Sequence, residues 1–165
     1  MIQTIPLAKQ LEPYFKVAEQ VAKESPCTRR QYGSVIVYHE SSAPILWHVA
    51  ECNSRLSTCC NGICARDRFE TKHGQRTEVG AEIHSETAAL IKSTIPVQQS
   101  HFVLVGFENG HELRGPAAYP CHACIMAIKF AGYKFIYMKD LEGDITPVSV
   151  AEILRYREGE WEPDV

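Results

Sequence analysis

Two short runs hold side chains that can do chemistry together: His84-Ser85-Glu86 and Pro120-Cys121-His122-Ala123-Cys124. Imidazole nitrogen and thiolate sulfur are the usual ligands of zinc. Cys121 and Cys124 stand three apart, so at a helix start they share one face and can grip one ion. Pro120 suits such a start, having no N–H to leave unpaired. The positive end of the helix dipole there lowers thiol pKa and favours metal binding. His84 supplies a third ligand. Three protein ligands leave the fourth tetrahedral position of zinc to water, which separates a catalytic ion from a closed structural one. Glu86 lies two residues past His84 and cannot point the same way from a regular helix. In a first turn, however, His84 can reach the ion while Glu86 reaches the water. A water made acidic by zinc, with a carboxylate beside it to carry protons, is hydrolytic machinery. His122, inside the cysteine loop, faces outward and is left out of the ligand set.

Each run needs an element to hold it. Leu7, Leu11, Tyr14, Phe15, Ala18, Val21 and Ala22 recur at helical spacing, which predicts an amphipathic helix over about residues 6–24, ended by Ser25-Pro26. The β-branched and aromatic run Tyr32–Tyr38 predicts a strand, Ser41–Pro44 a turn, and Ile45–Ala50 a second strand of a hairpin. Residues 53–80 show no periodicity and carry three cysteines, a histidine and many charges, the pattern of a functional or metal-pinned loop. Order resumes at Ala81, with Ile83, Thr87, Leu90 and Ile91 predicting a helix of three turns before Pro96. A strand over Phe102–Phe107, a turn at Asn109-Gly110 and a helix over Cys121–Ala131 stopped by Gly132 follow. Phe135–Met138 predicts another strand, and Thr146-Pro147 the start of a last helix striped by Val150, Ile153 and Leu154. Strands alternating with helices predict an α/β fold, a three-layer α-β-α sandwich around a mixed sheet of about five strands. The whole of 1–165 reads as one domain with a flexible tail after 158.

Bulk composition narrows the partners. With 17 basic and 20 acidic side chains the formal charge is −3, and no dense basic run occurs, so polynucleotide is not an expected partner. No stretch approaches the roughly 20 apolar residues of a membrane span, and Met1–Gln10 lacks the apolar core of a signal peptide; a cytoplasmic protein is expected. Seven cysteines, an odd number, then point to metal ligands or buried thiols rather than a disulfide framework.

The two runs together, in this order and each opening a helix, carry the zinc-deaminase signature. Over about residues 25–140 the chain resembles the deoxycytidylate (dCMP) deaminase branch of the cytidine deaminase superfamily. The segment from Ser25-Pro26-Cys27-Thr28-Arg29-Arg30 through Gln31-Tyr32-Gly33-Ser34-Val35-Ile36-Val37 is similar to that branch's arginine-bearing lead into its first strand, and Asn53 stands where the family places an asparagine. The resemblance implies zinc-dependent hydrolysis of dCMP to dUMP with release of ammonia. It implies zinc on His84, Cys121 and Cys124, proton transfer by Glu86, the 5′-phosphate on Arg29 or, second, Arg30, and the sugar hydroxyl on Asn53. Ser85 replaces the family's usual alanine and is placed with the substrate-binding residues. A solvated basic pair is the plainer reading of the arginines, and a turn residue that of Asn53. Members of the branch are homo-oligomers, often hexamers, some switched on by dCTP and off by dTTP. Here Glu51-Cys52-Asn53-Ser54 stands where the family often has Gly-Tyr-Asn-Gly, a departure that argues against dCTP control.

Three alternatives stay open. Cys59, Cys60, Cys64 and His73 can hold a second, structural zinc or be simple thiols and a histidine; they contain no Cys-x-x-Cys. The substrate can be a free nucleoside or base such as cytidine or guanine, which needs no phosphate-binding arginine. The chain can also be a catalytically silent, zinc-stabilised nucleotide-binding module, which would have no use for Glu86.

Overall fold

A computed structural model describes residues 6–38, 48–55, 70 and 82–159. The expected turn at 41–44 and the candidate second-metal residues Cys59, Cys60, Cys64 and His73 lie outside them, as do nearly all of the loop and the tail beyond 159. Helix α1 (Leu7–Glu24) precedes strand β1 (Gln31–Tyr38), β2 (His48–Cys52) and a short β3 (Ser54–Arg55). After β4 (Glu82–Ile83) come α2 (Ser85–Lys92), β5 (Ser100–Glu108) and β6 (His111–Glu112). Helix α3 (His122–Ala131), β7 (Phe135–Lys139), β8 (Ile145–Ser149) and α4 (Val150–Gly159) complete the order.

The main sheet runs β2-β1-β5-β7-β8, with β6 added to β5. Only β5 and β7 pair in parallel, Val103 beside Tyr137; the other pairs are antiparallel, so the sheet is mixed and has six strands. Strand periodicity sorts the core into two layers. Val35 and Val37 of β1 and Val103, Val105 and Phe107 of β5 face α1, whose Leu11, Phe15, Ala18 and Ala22 cover them. Ile36, Phe102, Leu104, Ile136 and Met138 face the other way, under Ala89 of α2, Ile125 and Ile128 of α3, and Ile153 and Leu154 of α4. The expected α-β-α sandwich is present. Helix α1 lies close enough that a Cβ at Gly33 would strike the Ala18 carbonyl, so a glycine is required at that crossing. Asn109 and Gly110, both at positive φ (51° and 78°), make the tight turn that folds β6 back on β5.

Three boundaries move. The second strand, described from His48, runs to Cys52, two residues past the expected Ala50; residues 45–47 lie outside the described ones. The helix expected from Ala81 spans Ser85–Lys92, with Ile83 in β4 and Ile91 73% exposed; its buried residues are Ser85, Glu86 and Ala89. Thr146-Pro147 does not start the last helix. Ile145–Ser149 is an edge strand on β7, Pro147 opposite Tyr137, and a sheet edge tolerates the missing proline N–H. The helix begins at Val150, and its expected stripe of Val150, Ile153 and Leu154 is buried.

Candidate metal centre and active site

His84 and Cys121 hold equivalent places, each the N-cap of a helix, α2 and α3. Both have extended backbone, and the carbonyl of each accepts the first intrahelical bond, from Ala88 and Ile125, at 3.0 Å. Neither side chain caps its own helix. Cys124 stands in the first turn of α3, so the two sulfurs sit at the dipole's positive end, as the spacing predicts.

The three side chains converge. His84 Nδ1 lies 3.5 Å from Cys121 Sγ and 3.4 Å from Cys124 Sγ, and all three donor atoms fall within 4.8 Å of one another. Around one tetrahedral zinc, bond lengths of roughly 2.3 Å to sulfur and 2.1 Å to nitrogen place those atoms about 3.6 Å apart. The donor set therefore fits a single metal ion and is compatible with zinc. Cys121 and Cys124 are buried and His84 half-buried. The hydrogen bond from the Cys124 thiol, opposed by burial and helped by His84, pushes the Cys121 thiol down to about 4. Cys124 moves upward, because its proton is shared with Cys121 and burial penalises its charge. The Thr87 hydroxyl lies 3.7 Å from Cys124 Sγ and can orient that sulfur.

Glu86 is 3% exposed, and burial pushes its carboxyl above the ordinary range, against the influence of His84. Its Oε2 accepts a hydrogen bond from Ser85 Oγ at 3.1 Å. Ser85, expected at the substrate, is itself fully buried, with its Oγ 2.8 Å from Ser34 Oγ of β1.

The other candidates lie at the same end of the sheet in different surroundings. Asn53 is buried and bridges into β1: its Oδ1 accepts from the Tyr32 N–H at 2.7 Å and its Nδ2 donates to the Arg30 carbonyl at 3.0 Å. Ser54 pairs with Ile83, so Asn53 and His84 flank the same end of the ladder of β3 and β4. Arg30 donates to Glu108 Oε1 at 2.7 Å and to the Ala117 carbonyl at 3.3 Å. Arg29 is half-buried in the bend before β1. His122 is exposed and outside the cluster.

Compared with protein-family models and with curated proteins, the sequence matches none. The geometry of the site therefore carries the functional argument.

Two contributors escape motif reading. Arg157 of α4 is 5% exposed and donates to the carbonyls of Tyr119 (2.6 Å) and Pro120 (2.7 Å), the two residues before Cys121. Its signal in the sequence is a cation on the apolar stripe, one turn past Ile153 and Leu154. Ser34 is the other, hidden in an apolar strand run. Among the described residues, Cys27, Cys52, Cys121 and Cys124 form no disulfide, and no helix is long and apolar enough to cross a membrane.

Proposed function

We propose that this chain is a zinc-dependent hydrolytic deaminase of a pyrimidine nucleotide, dCMP, forming dUMP and ammonia. The observation that supports it is the meeting of His84, Cys121 and Cys124 within 4.8 Å, with the buried Glu86 two residues from the imidazole. His84, Cys121 and Cys124 would hold the ion. When bound there, zinc supplies a water acidic enough to ionise near neutral pH.

The residues of the chain do the rest. Glu86 accepts a proton from the attacking water as its oxygen bonds to carbon 4 of the cytosine ring, and passes that proton to ring nitrogen 3. A second proton from the same water goes by way of Glu86 to the exocyclic amine. The carbon–nitrogen bond then breaks, the amine leaves as ammonia and a carbonyl remains. A carboxyl raised above its usual range suits this work, because a group nearer neutrality both takes and gives protons readily. Asn53 would meet the sugar hydroxyl. By the resemblance of the arginine-bearing segment, Arg29 or, second, Arg30 would meet the 5′-phosphate, Arg30 also donating to Glu108 and the Ala117 carbonyl. The same reading includes a homo-oligomer in the cytoplasm.

Ammonia release from dCMP, CMP, deoxycytidine, cytidine and guanine tests the proposal directly. Turnover is expected on dCMP, and Glu86→Gln should keep the metal while losing about 10²–10⁴ of kcat. Arg29→Ala should weaken dCMP turnover and leave deoxycytidine unchanged. A fully active Glu86→Gln variant would overturn the mechanism. Equal losses on the two substrates would remove the phosphate role of Arg29.

A further inference from the structure

A carboxylate that collects a proton from one place and delivers it to another must present the same oxygen each time. Glutamate has three rotatable bonds before its carboxylate, and burial alone does not choose among their settings. In this chain something does choose. Ser85, the neighbour of Glu86, is 0% exposed and donates from its Oγ to Glu86 Oε2 at 3.1 Å. Ser34, on the inner strand β1 and also 0% exposed, has its Oγ 2.8 Å from Ser85 Oγ. A serine hydroxyl has one proton to donate. Since Ser85 gives its proton to the carboxylate, the short contact with Ser34 is satisfied with Ser34 as donor. The chain of bonds thus runs one way, from strand to helix to carboxylate, and each bond polarises the next.

We propose that Ser34 and Ser85 are positioning residues that fix the carboxylate of Glu86, tying down Oε2 so that Oε1 carries the proton. This rests on the deaminase reading for its catalytic meaning, though the locking itself does not. The hydroxyl pair joins sheet and helix at the reacting group. Ser34 sits between Gly33 and Val35, which face α1, so it projects to the α2 side together with Ile36.

The experiment compares Ser85→Ala, Ser34→Ala and the double variant with the wild type. Each is measured for zinc content, kcat and KM on dCMP, and its crystal structure is solved. Ser85→Ala should lower kcat about tenfold and Ser34→Ala about threefold, as expected for losing one charge-assisted hydrogen bond or its support. KM and one zinc per chain should stay unchanged. The double variant should be no slower than Ser85→Ala, since both serines act along one path. In the Ser85→Ala crystal the Glu86 carboxylate should be turned or split between two conformers. A Ser85→Ala variant with kcat within twofold of wild type and Glu86 unmoved would overturn the proposal. So would losses that multiply in the double variant. If the wild type releases no ammonia from any substrate, the deaminase reading fails, and the Glu86 conformer in Ser85→Ala still decides whether the serines lock it.

Discussion

The ligand set is made of residues whose roles depend on where a helix begins. His84 and Cys121 are both N-caps, with extended backbone that turns their side chains off the helix and toward each other. The sequence announces this through Pro120 and through spacing, which is why the meeting of His84, Cys121 and Cys124 is legible without a structure. Removing one ligand should be decisive. In the proposed enzyme, His84→Ala or Cys121→Ala should lower the zinc content by one per chain by elemental analysis, and the gain in melting temperature on adding zinc should shrink. Ser34 and Arg157 were not legible in the same way. Their partners lie 51 and 37–38 positions away, and only the folded sheet and the last helix bring them in. Asn53 is an intermediate case. Its place at the end of the ladder that His84 also flanks follows from the pairing of Ser54 with Ile83, while its bonds to Arg30 and Tyr32 show it also splicing β2 onto β1.

Periodicity located the elements that carry most of the buried core, α1, β1, β5, α3, β7 and the stripe of α4, and failed at short or edge elements. Helix α2 shows only a weak apolar stripe because its inward face is given to Ser85 and Glu86. Proline read as a helix start at 147 because the first turn tolerates it, but an edge strand tolerates it equally, and pairing with β7 decided the matter. Helix α4 carries a testable load. Arg157 satisfies two buried carbonyls directly before Cys121. Arg157→Met would keep the bulk but leave those oxygens unpaired, at a cost of about 2–4 kcal/mol. Denaturant unfolding should show that loss, and chelator competition should show weaker zinc retention. Unchanged values of both would mean that the segment before Cys121 is held by other contacts.

At the scale of the molecule, the layer that carries the site also leaves apolar side chains uncovered. Met126 and Phe130, one turn apart on α3, are 44% and 96% exposed, and Ile91 on the adjoining α2 is 73% exposed. Single apolar residues on a surface are ordinary, and these are the side chains that the proposed oligomer would cover. Light scattering should find an assembly larger than one chain, and Phe130→Glu should shift it toward the monomer; a monomeric wild type would end that part of the proposal. A cavity of about 310 Å³ opens at the other end of the sheet, between the starts of β5 and β7, lined in part by Ser100, His101, Tyr133 and Tyr137. It shares no residue with the metal cluster.

The placing of the three ligands has one more consequence. His84 precedes β5 and the cysteines follow it, so an ion bound there would act as a clasp, closing a ring of chain that includes the central strand β5. Opening the clasp should loosen what it fastens. Stripped of metal, the chain should exchange amide hydrogen fastest in the opening turns of α2 and α3, while α1 and β1, fastened by their own apolar layer, keep their protection.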